Sequence, residues 1–373
     1  MHVHLVHEWL AERAGSEMVV EAMLGLWPEA PLHALVYRPE LYRDSPIARA
    51  DVRTSFFQRS RLLRSRFRTF LGLMPLAVEQ YDCAGADVIV SSSHAVAHGV
   101  VTRADQMHVS YVHSPMRYAW DLHHQYLRES GLTRGPKAWI ARWTLARLRQ
   151  WTRLAADRVD VFVANSHTVA RRIAKQWRRR AAVIHPPVAV DRFRPDRERA
   201  DFYLHVGRMA PYKRVDLIAA AATRAGVPLV LIGDGPDMAR VRRVAGPAVR
   251  ILGFQSDAVV QDHLERCRGL VFAAEEDFGI VPVEAMAAGA PVLAFGRGGA
   301  TETVLDGRTG TFFPEQSVDA LASALAAFDR AHFDPAACRR RAEDFTPERF
   351  ATAMRDLVAE EWDRFEREGP PTW

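Results

Sequence analysis

Long apolar runs, acidic metal-binding triplets and clustered cysteines are all missing from this 373-residue chain. No window approaches the roughly 18 uninterrupted apolar residues of a membrane span, and the opening MHVHLVHEWL has neither a basic start nor a long apolar stretch. A cytoplasmic protein, neither exported nor membrane-spanning, is therefore expected. Cys83, Cys267 and Cys338 stand far apart, with no Cys-X-X-Cys pair and no ligand-like spacing to histidine, which argues against a disulfide framework and a structural zinc site. No Asp-X-Asp triplet occurs, so the common acidic clamp for a metal-bound diphosphate is lacking and no metal is expected. The P-loop, Gly-X-Ser-X-Gly and His-Glu-X-X-His motifs are absent as well. Neither sign of charge dominates: 50 Lys and Arg against 45 Asp and Glu leave +5, so an isoelectric point of about 9.3 gives no footing for nucleic acid.

What is present is a composition of 48% apolar, 9% aromatic and 25% charged residues, enough to bury two cores at roughly 100–200 residues per domain. Through the first half, short apolar runs at Val3–Val6, Asp87–Val90, Val109–Val112 and Val159–Ala164 alternate with helical spacing at Glu17–Leu26 and Val169–Trp177. That is the pattern of parallel βαβ units. A Pro-rich, charged stretch over 185–201, HPPVAVDRFRPDRERAD, reads as a linker between a first domain over 1–184 and a second over 202–345. In the second, strands at Phe202–Val206, Leu229–Ile232, Val249–Leu252, Leu270–Ala273 and Val292–Phe295 take turns with helices at Val215–Ala225, Asp257–Arg266, Val281–Ala288 and Asp319–Phe328. Two doubly wound, Rossmann-like α/β domains are expected to face each other across a cleft, with ligands at the carboxyl ends of their strands. Over 346–373, apolar residues from Phe350 to Phe365 recur at helical spacing behind Thr346 and Pro347, so a terminal helix either completes the second domain or crosses back to the first.

The stretch Leu270–Gly307 is the most informative. A loop carrying Glu276 follows a strand, and a helix then opens with Pro282 in its first turn, aiming the N–H groups of Gly279, Ile280 and Val281 at a ligand. Glu284 lies eight residues beyond Glu276, so two carboxylates face one mouth and can accept from different ligand hydroxyls; the bland reading is that both merely favour the helix dipole. In HVGRMAPYKRVDLIAAA, Arg208 and Lys213 flank a strand-to-helix turn, where two cations can neutralise a diphosphate or simply be solvated. Gly15 and Ser16 follow the first strand and open a helix, which suits backbone approach to a phosphate, although glycine at such turns is common for conformational reasons alone. His113 ends the strand VSYV, placing an imidazole at the carboxyl edge of the first sheet.

Taken together, EDFGIVPVEAMAAGAPVL, GRMAPYKRVDLIAAA, IGDGPD, ILGF and GGATETVLDGRTGTFF resemble the family-4 retaining glycosyltransferases of GT-B fold over nearly the whole second domain. SSSHAVAHGV, YVHSPMRYAWD, VANSHTVARRI and HPPVAVDRF further resemble bacterial mannosyltransferases of that family that use GDP-mannose. By position the resemblance implies that Glu276 binds donor-sugar hydroxyls, Glu284 the nucleotide ribose, and Arg208 and Lys213 the diphosphate. It also implies that Gly15 approaches the diphosphate, Phe254 lies near the base and His113 sits beside the reacting sugar. Where that family often has two glycines, the first is Ala14 here, which alters the phosphate approach.

The implied activity is retaining transfer of a hexose, mannose from GDP-mannose, onto a glycan or lipid-linked glycan, with no cofactor, metal or nucleic acid. A UDP-sugar or another GDP-sugar is the alternative donor, and a non-catalytic two-lobed sugar-binding protein the alternative class. Finally, QRSRLLRSRFRTFLGL over 58–73 interleaves five arginines with leucine and phenylalanine, as in a helix lying on anionic lipid, or in an amphipathic helix packed on its own domain.

Overall fold

The structure, a computed structural model, describes residues 1–370 and divides into two units, residues 1–187 together with the chain from Phe350, and residues 188–349. The first unit holds a seven-stranded parallel sheet: β1 Val3–His7, β2 Leu32–Ala34, β3 Val52–Thr54, β4 Val88–Ser93, β5 Met107–Val112, β6 Val161–Ala164 and β7 Ala182–Val183, in the order β3-β2-β1-β4-β5-β6-β7. The second holds six parallel strands: β8 Tyr203–Val206, β9 Leu229–Ile232, β10 Val249–Gly253, β11 Gly269–Phe272, β12 Val292–Phe295 and β13 Gly310–Phe313, in the order β10-β9-β8-β11-β12-β13. Strand β1 and strand β8 are each flanked by strands reached in opposite directions, so each sheet has a switch point, β1/β4 and β8/β11. The carboxyl ends of those four strands lead into the loops that carry Glu8, Arg208 and Glu276.

Core strands are continuous apolar runs because helices cover both sheet faces. Leu229–Ile232 and Val292–Phe295 are buried throughout, and their limits match the sequence expectation, as do those of helices Val215–Ala225 and Asp257–Arg266. Strands β2, β3 and β7 have two or three residues and too little pattern to read, and β13, GTFF, is only half apolar. Helix Pro136–Ala155, unmarked in the sequence, is obscured because tryptophan and isoleucine lie on its water-facing side.

Helix Pro347–Glu368 starts behind a Thr346 hydroxyl that accepts from the Arg349 N–H at 3.4 Å. Its Phe350, Met354, Val358 and Phe365 share the core of Val3, Leu5, Val90 and Tyr111, with the Phe350 and Tyr111 rings 5.6 Å apart. The stretch 185–201 divides at Pro187/Val188. Beyond that point Val188, Val190 and Phe193 are buried in the second unit's core, and Arg197 and Arg199 bond to Glu265 and to carbonyls around it.

The single helix expected over 58–73 is not formed. Instead there are short pieces, Phe56–Arg59, Arg61–Ser65 and the 3-10 segment Phe67–Leu73, with Phe70 non-helical at φ −96 and ψ 33. Ser60 ends one piece and caps the next through the Leu63 N–H, which resets the axis. Phe67 is buried and Leu63, Phe70 and Leu71 pack beside it, so four of the six leucine and phenylalanine side chains serve the unit's own core. No helix among the described residues is long and apolar enough to cross a membrane.

Candidate functional site

In the second unit, β8 runs into a turn over 207–210, the 3-10 segment Pro211–Lys213 and helix Val215–Ala225. The turn is clasped by the GDGPD loop after β9: Met209 donates to the Asp234 carbonyl and Asp237 donates to the Met209 carbonyl, both at 2.9 Å. A Cβ at Gly233 would stand 1.9 Å from the Gly207 oxygen and one at Gly235 2.4 Å from the Met209 oxygen, so these loops meet only because both residues are glycine. Arg208 is exposed on this turn, and Lys213 forms an ion pair with Glu276. Arg208 and Lys213 on one side and Glu276 on the other belong to separate sequence clusters, and the β8/β11 switch point joins Lys213 to Glu276.

Glu276 sits in the loop after β11, fastened where the Gly299 N–H donates to its carbonyl at 2.8 Å. Side chains at Gly298 and Gly299 would strike that loop, at 2.5 Å from the Glu276 oxygen and 2.3 Å from the Phe278 Cα. Gly279, left-handed at φ 90, starts helix Ile280–Ala287 without a side-chain cap, so the first-turn N–H groups of Ile280 and Val281 lead that helix. Glu284, one turn in, faces Arg192 at 3.9 Å. Burial raises the Glu284 carboxyl above the ordinary range, with Arg192 opposing and Asp257 adding to the rise. Phe254 directly follows β10 and is 83% exposed, a large apolar side chain left in water. Arg192 escaped the sequence reading although it lies in the quoted HPPVAVDRF.

In the first unit, helix Gly15–Leu26 begins at Gly15 and Ser16, and Glu17 reaches back so that its Oε2 accepts from the Ala14 N–H at 3.0 Å and the Ser16 hydroxyl at 2.9 Å. Its Oε1 lies 3.6 Å from His7 Nε2. Burial pushes Glu17 up, but His7 and His94 outweigh it and hold the carboxyl at about 2. His7 Nδ1 meets the Ser92 hydroxyl at 3.2 Å, and Ser92 in turn meets His113 Nε2 at 2.8 Å. His113 is thus the end of a buried chain, Glu17, His7, Ser92, His113. Burial, then the nearby His94 and His7, drive its titration well below the usual histidine value, so it is neutral at neutral pH.

Glu8, also missed in the sequence, organises the loop after β4. Its Oε1 accepts four consecutive backbone N–H groups, His94 to Ala97, at 2.7–3.0 Å, and the Ser93 hydroxyl at 3.2 Å. Burial opposes ionisation, yet His94 and these donors hold the carboxyl low. The signal was present: an acid directly after an apolar strand and a serine-rich strand end. Spacing along the chain also hides a contact at the opposite end of this sheet, where His33 Nε2 lies 3.3 Å from His4 Nδ1 and 3.8 Å from Cys83 Sγ. Burial lowers His4 and holds His33 at about 4, so the two imidazoles are neutral and one donates to the other.

The two parallel-sheet units have the fold of GT-B glycosyltransferases. The chain is similar to the Anabaena protein HepE solved with UDP and glucose, over 96% of this chain and 100% of that one, with a TM-score of 0.69 at 17% identity. It is similar to sucrose-phosphate synthase from Thermosynechococcus elongatus over 97% of this chain and 100% of that one, with a TM-score of 0.70 at 18% identity. Residues 201–328, within the second unit, match the family described as Glycosyl transferases group 1. In sequence the chain is 32% identical over 212 residues to D-inositol 3-phosphate glycosyltransferase of Mycolicibacterium paratuberculosis, covering 50% of this chain and 48% of that protein. It is 33% identical over 208 residues to GDP-mannose-dependent alpha-(1-6)-phosphatidylinositol monomannoside mannosyltransferase of Mycolicibacterium smegmatis, covering 44% of this chain and 52% of that protein. The chain spans about half the length of the curated relatives it matches.

Proposed function

We propose that the chain is a retaining glycosyltransferase that moves mannose from GDP-mannose onto a glycan or lipid-linked glycan, without a metal. The observation that carries this reading is the Lys213 and Glu276 pair, with Arg208 at the end of the same strand, at the switch point of a group 1 domain. As the bond between sugar and diphosphate breaks, negative charge grows on the leaving group and the anomeric carbon becomes oxocarbenium-like. Cations at Arg208 and Lys213 and the leading N–H groups of helix Ile280–Ala287 meet that charge. Glu276 exchanges part of its pairing with Lys213 for sugar hydroxyls, and Glu284 accepts from the ribose while Arg192 balances its charge.

Retention follows if the acceptor attacks the face from which the diphosphate leaves. The acceptor hydroxyl then passes its proton to the departing diphosphate oxygen, a glycosidic bond to the acceptor forms as the anomeric C–O bond to the diphosphate breaks, and no protein nucleophile is used. His113, neutral and held by Ser92, offers a hydrogen bond beside the reacting sugar. The relative named for its GDP-mannose dependence supports the donor; the neighbour holding UDP and glucose supports the competing donor class.

A panel of nucleotides and nucleotide sugars, read by thermal midpoint, separates the two, because a ligand at 100 times its Kd stabilises the native state by about 2.7 kcal/mol. GDP and GDP-mannose are expected to raise the midpoint. A rise with UDP-sugars and none with GDP would overturn the donor assignment, and no rise with any nucleotide would overturn the transferase reading.

A further inference from the structure

One face of the first unit combines an excess of cations, of which Arg53, Arg68 and Arg153 pair with Asp51, Glu12 and Asp157, with large apolar side chains left in water. Residues 130–156 contain six Lys and Arg and no Asp or Glu, and residues 52–78 contain six Arg and no Asp or Glu. The two stretches lie together. Helix Pro136–Ala155 packs Leu145 and Leu148 into one core with Phe67 and Met74, and a Cβ at Gly72 would meet Thr144 Cγ2 at 3.4 Å. The helix spends its inner stripe on that core and turns Trp139, 68% exposed, Ile140, 56%, and Trp143, 53%, outward. Leu62, Leu73 and Leu76 are exposed on the neighbouring stretch. Arg147 lies over the Trp143 ring at 5.4 Å, so cation and indole stand at the same level.

Scattered single apolar residues on a surface are ordinary, but two indoles and an isoleucine on one exposed turn of helix, ringed by cations, are not. Indole rings favour the boundary between headgroup and hydrocarbon, leucine and isoleucine favour its apolar side, and arginines extend to lipid phosphates. A nucleic acid would use the cations and leave Ile140 and the leucines in water. We propose that this surface docks on the anionic phospholipid face of a bilayer, with Trp139, Ile140 and Trp143 entering the headgroup region. The site is the helix and its neighbour together rather than a single helix over 58–73. The inference rests on the transferase reading only where it makes the acceptor lipid-linked; the docking stands on the surface itself.

The test is co-sedimentation of the full chain with phosphatidylcholine vesicles, with and without phosphatidylglycerol. The comparison is with Trp139→Ser/Trp143→Ser and with Arg142→Gln/Arg147→Gln. Wild type is expected to pellet with the anionic vesicles and not the neutral ones, and each double variant to partition about tenfold less. These side chains are exposed, so thermal midpoint and nucleotide stabilisation should not change, and quenching of wild-type fluorescence by brominated lipid should exceed that of the tryptophan variant. Wild type left in the supernatant overturns the proposal, as does pelleting that the tryptophan variant leaves intact. Dependence on the arginines alone would assign the surface to a polyanion such as nucleic acid. Vesicle binding with no nucleotide stabilisation would instead defeat the transferase reading and leave the docking in place.

Discussion

The Ser92 hydroxyl lies 2.8 Å from Nε2 of His113 and 3.2 Å from Nδ1 of His7, so one buried serine joins the end of β5 to the end of β1. Because burial holds His113 well below 6.5, its charge does not change across neutral pH. The ionisation of His113 is therefore expected to leave no limb in the rate profile between pH 6.5 and 8, and Ser92→Ala to cost about 1 kcal/mol of stability together with a fall in kcat larger than any rise in KM. A pH profile that loses an acidic limb near 6.5 in His113→Asn would contradict this.

Stability should fall steeply in mild acid. Burial holds His33, His98 and His205 at about 4 and His108 at about 3. Histidine in the unfolded chain takes up its proton near 6.5, so between pH 6.5 and 4 the unfolded chain binds more protons and stability is lost as pH drops. Thermal midpoints measured across that window should decline progressively; a flat profile contradicts burial of these four imidazoles.

Glu284 is a carboxylate whose burial works against the fold. Its folded value is raised, so the cost is absent below the unfolded value and fully present once pH exceeds the folded one. Glu284→Gln is expected to raise the thermal midpoint of the free protein at pH 7 and 8, with the difference closing towards pH 4. If Glu284 accepts from the donor ribose as proposed, the same variant should raise KM for the donor more than it lowers kcat, because that contact lies away from the bond that breaks.

Much of this was legible in the chain. Five of the second unit's six strands follow from short apolar runs bounded by Gly and Pro, and the candidates Glu276, Glu284, Arg208 and Lys213 lie beyond the ends of those runs. What spacing could not convey is pairing between distant segments: Lys213 with Glu276, Arg192 with Glu284, and Glu8 with the N–H groups of His94 to Ala97. Short strands such as β2 and β7 were silent because two or three residues carry no period. The 58–73 segment misled because its amphipathic pattern is shared by pieces that Ser60 and Phe70 break apart.

Turnover of GDP-mannose by wild type and by Lys213→Ala, with GDP release followed at saturating donor, bears most directly on the proposed chemistry. If Lys213 meets charge that appears only as the diphosphate leaves, kcat should drop about 10²–10³-fold, roughly 3–4 kcal/mol of barrier, in a protein whose thermal midpoint shows it folded. A folded Lys213→Ala protein with near wild-type kcat would contradict the assignment of this cluster to the leaving diphosphate, and with it the proposed mechanism.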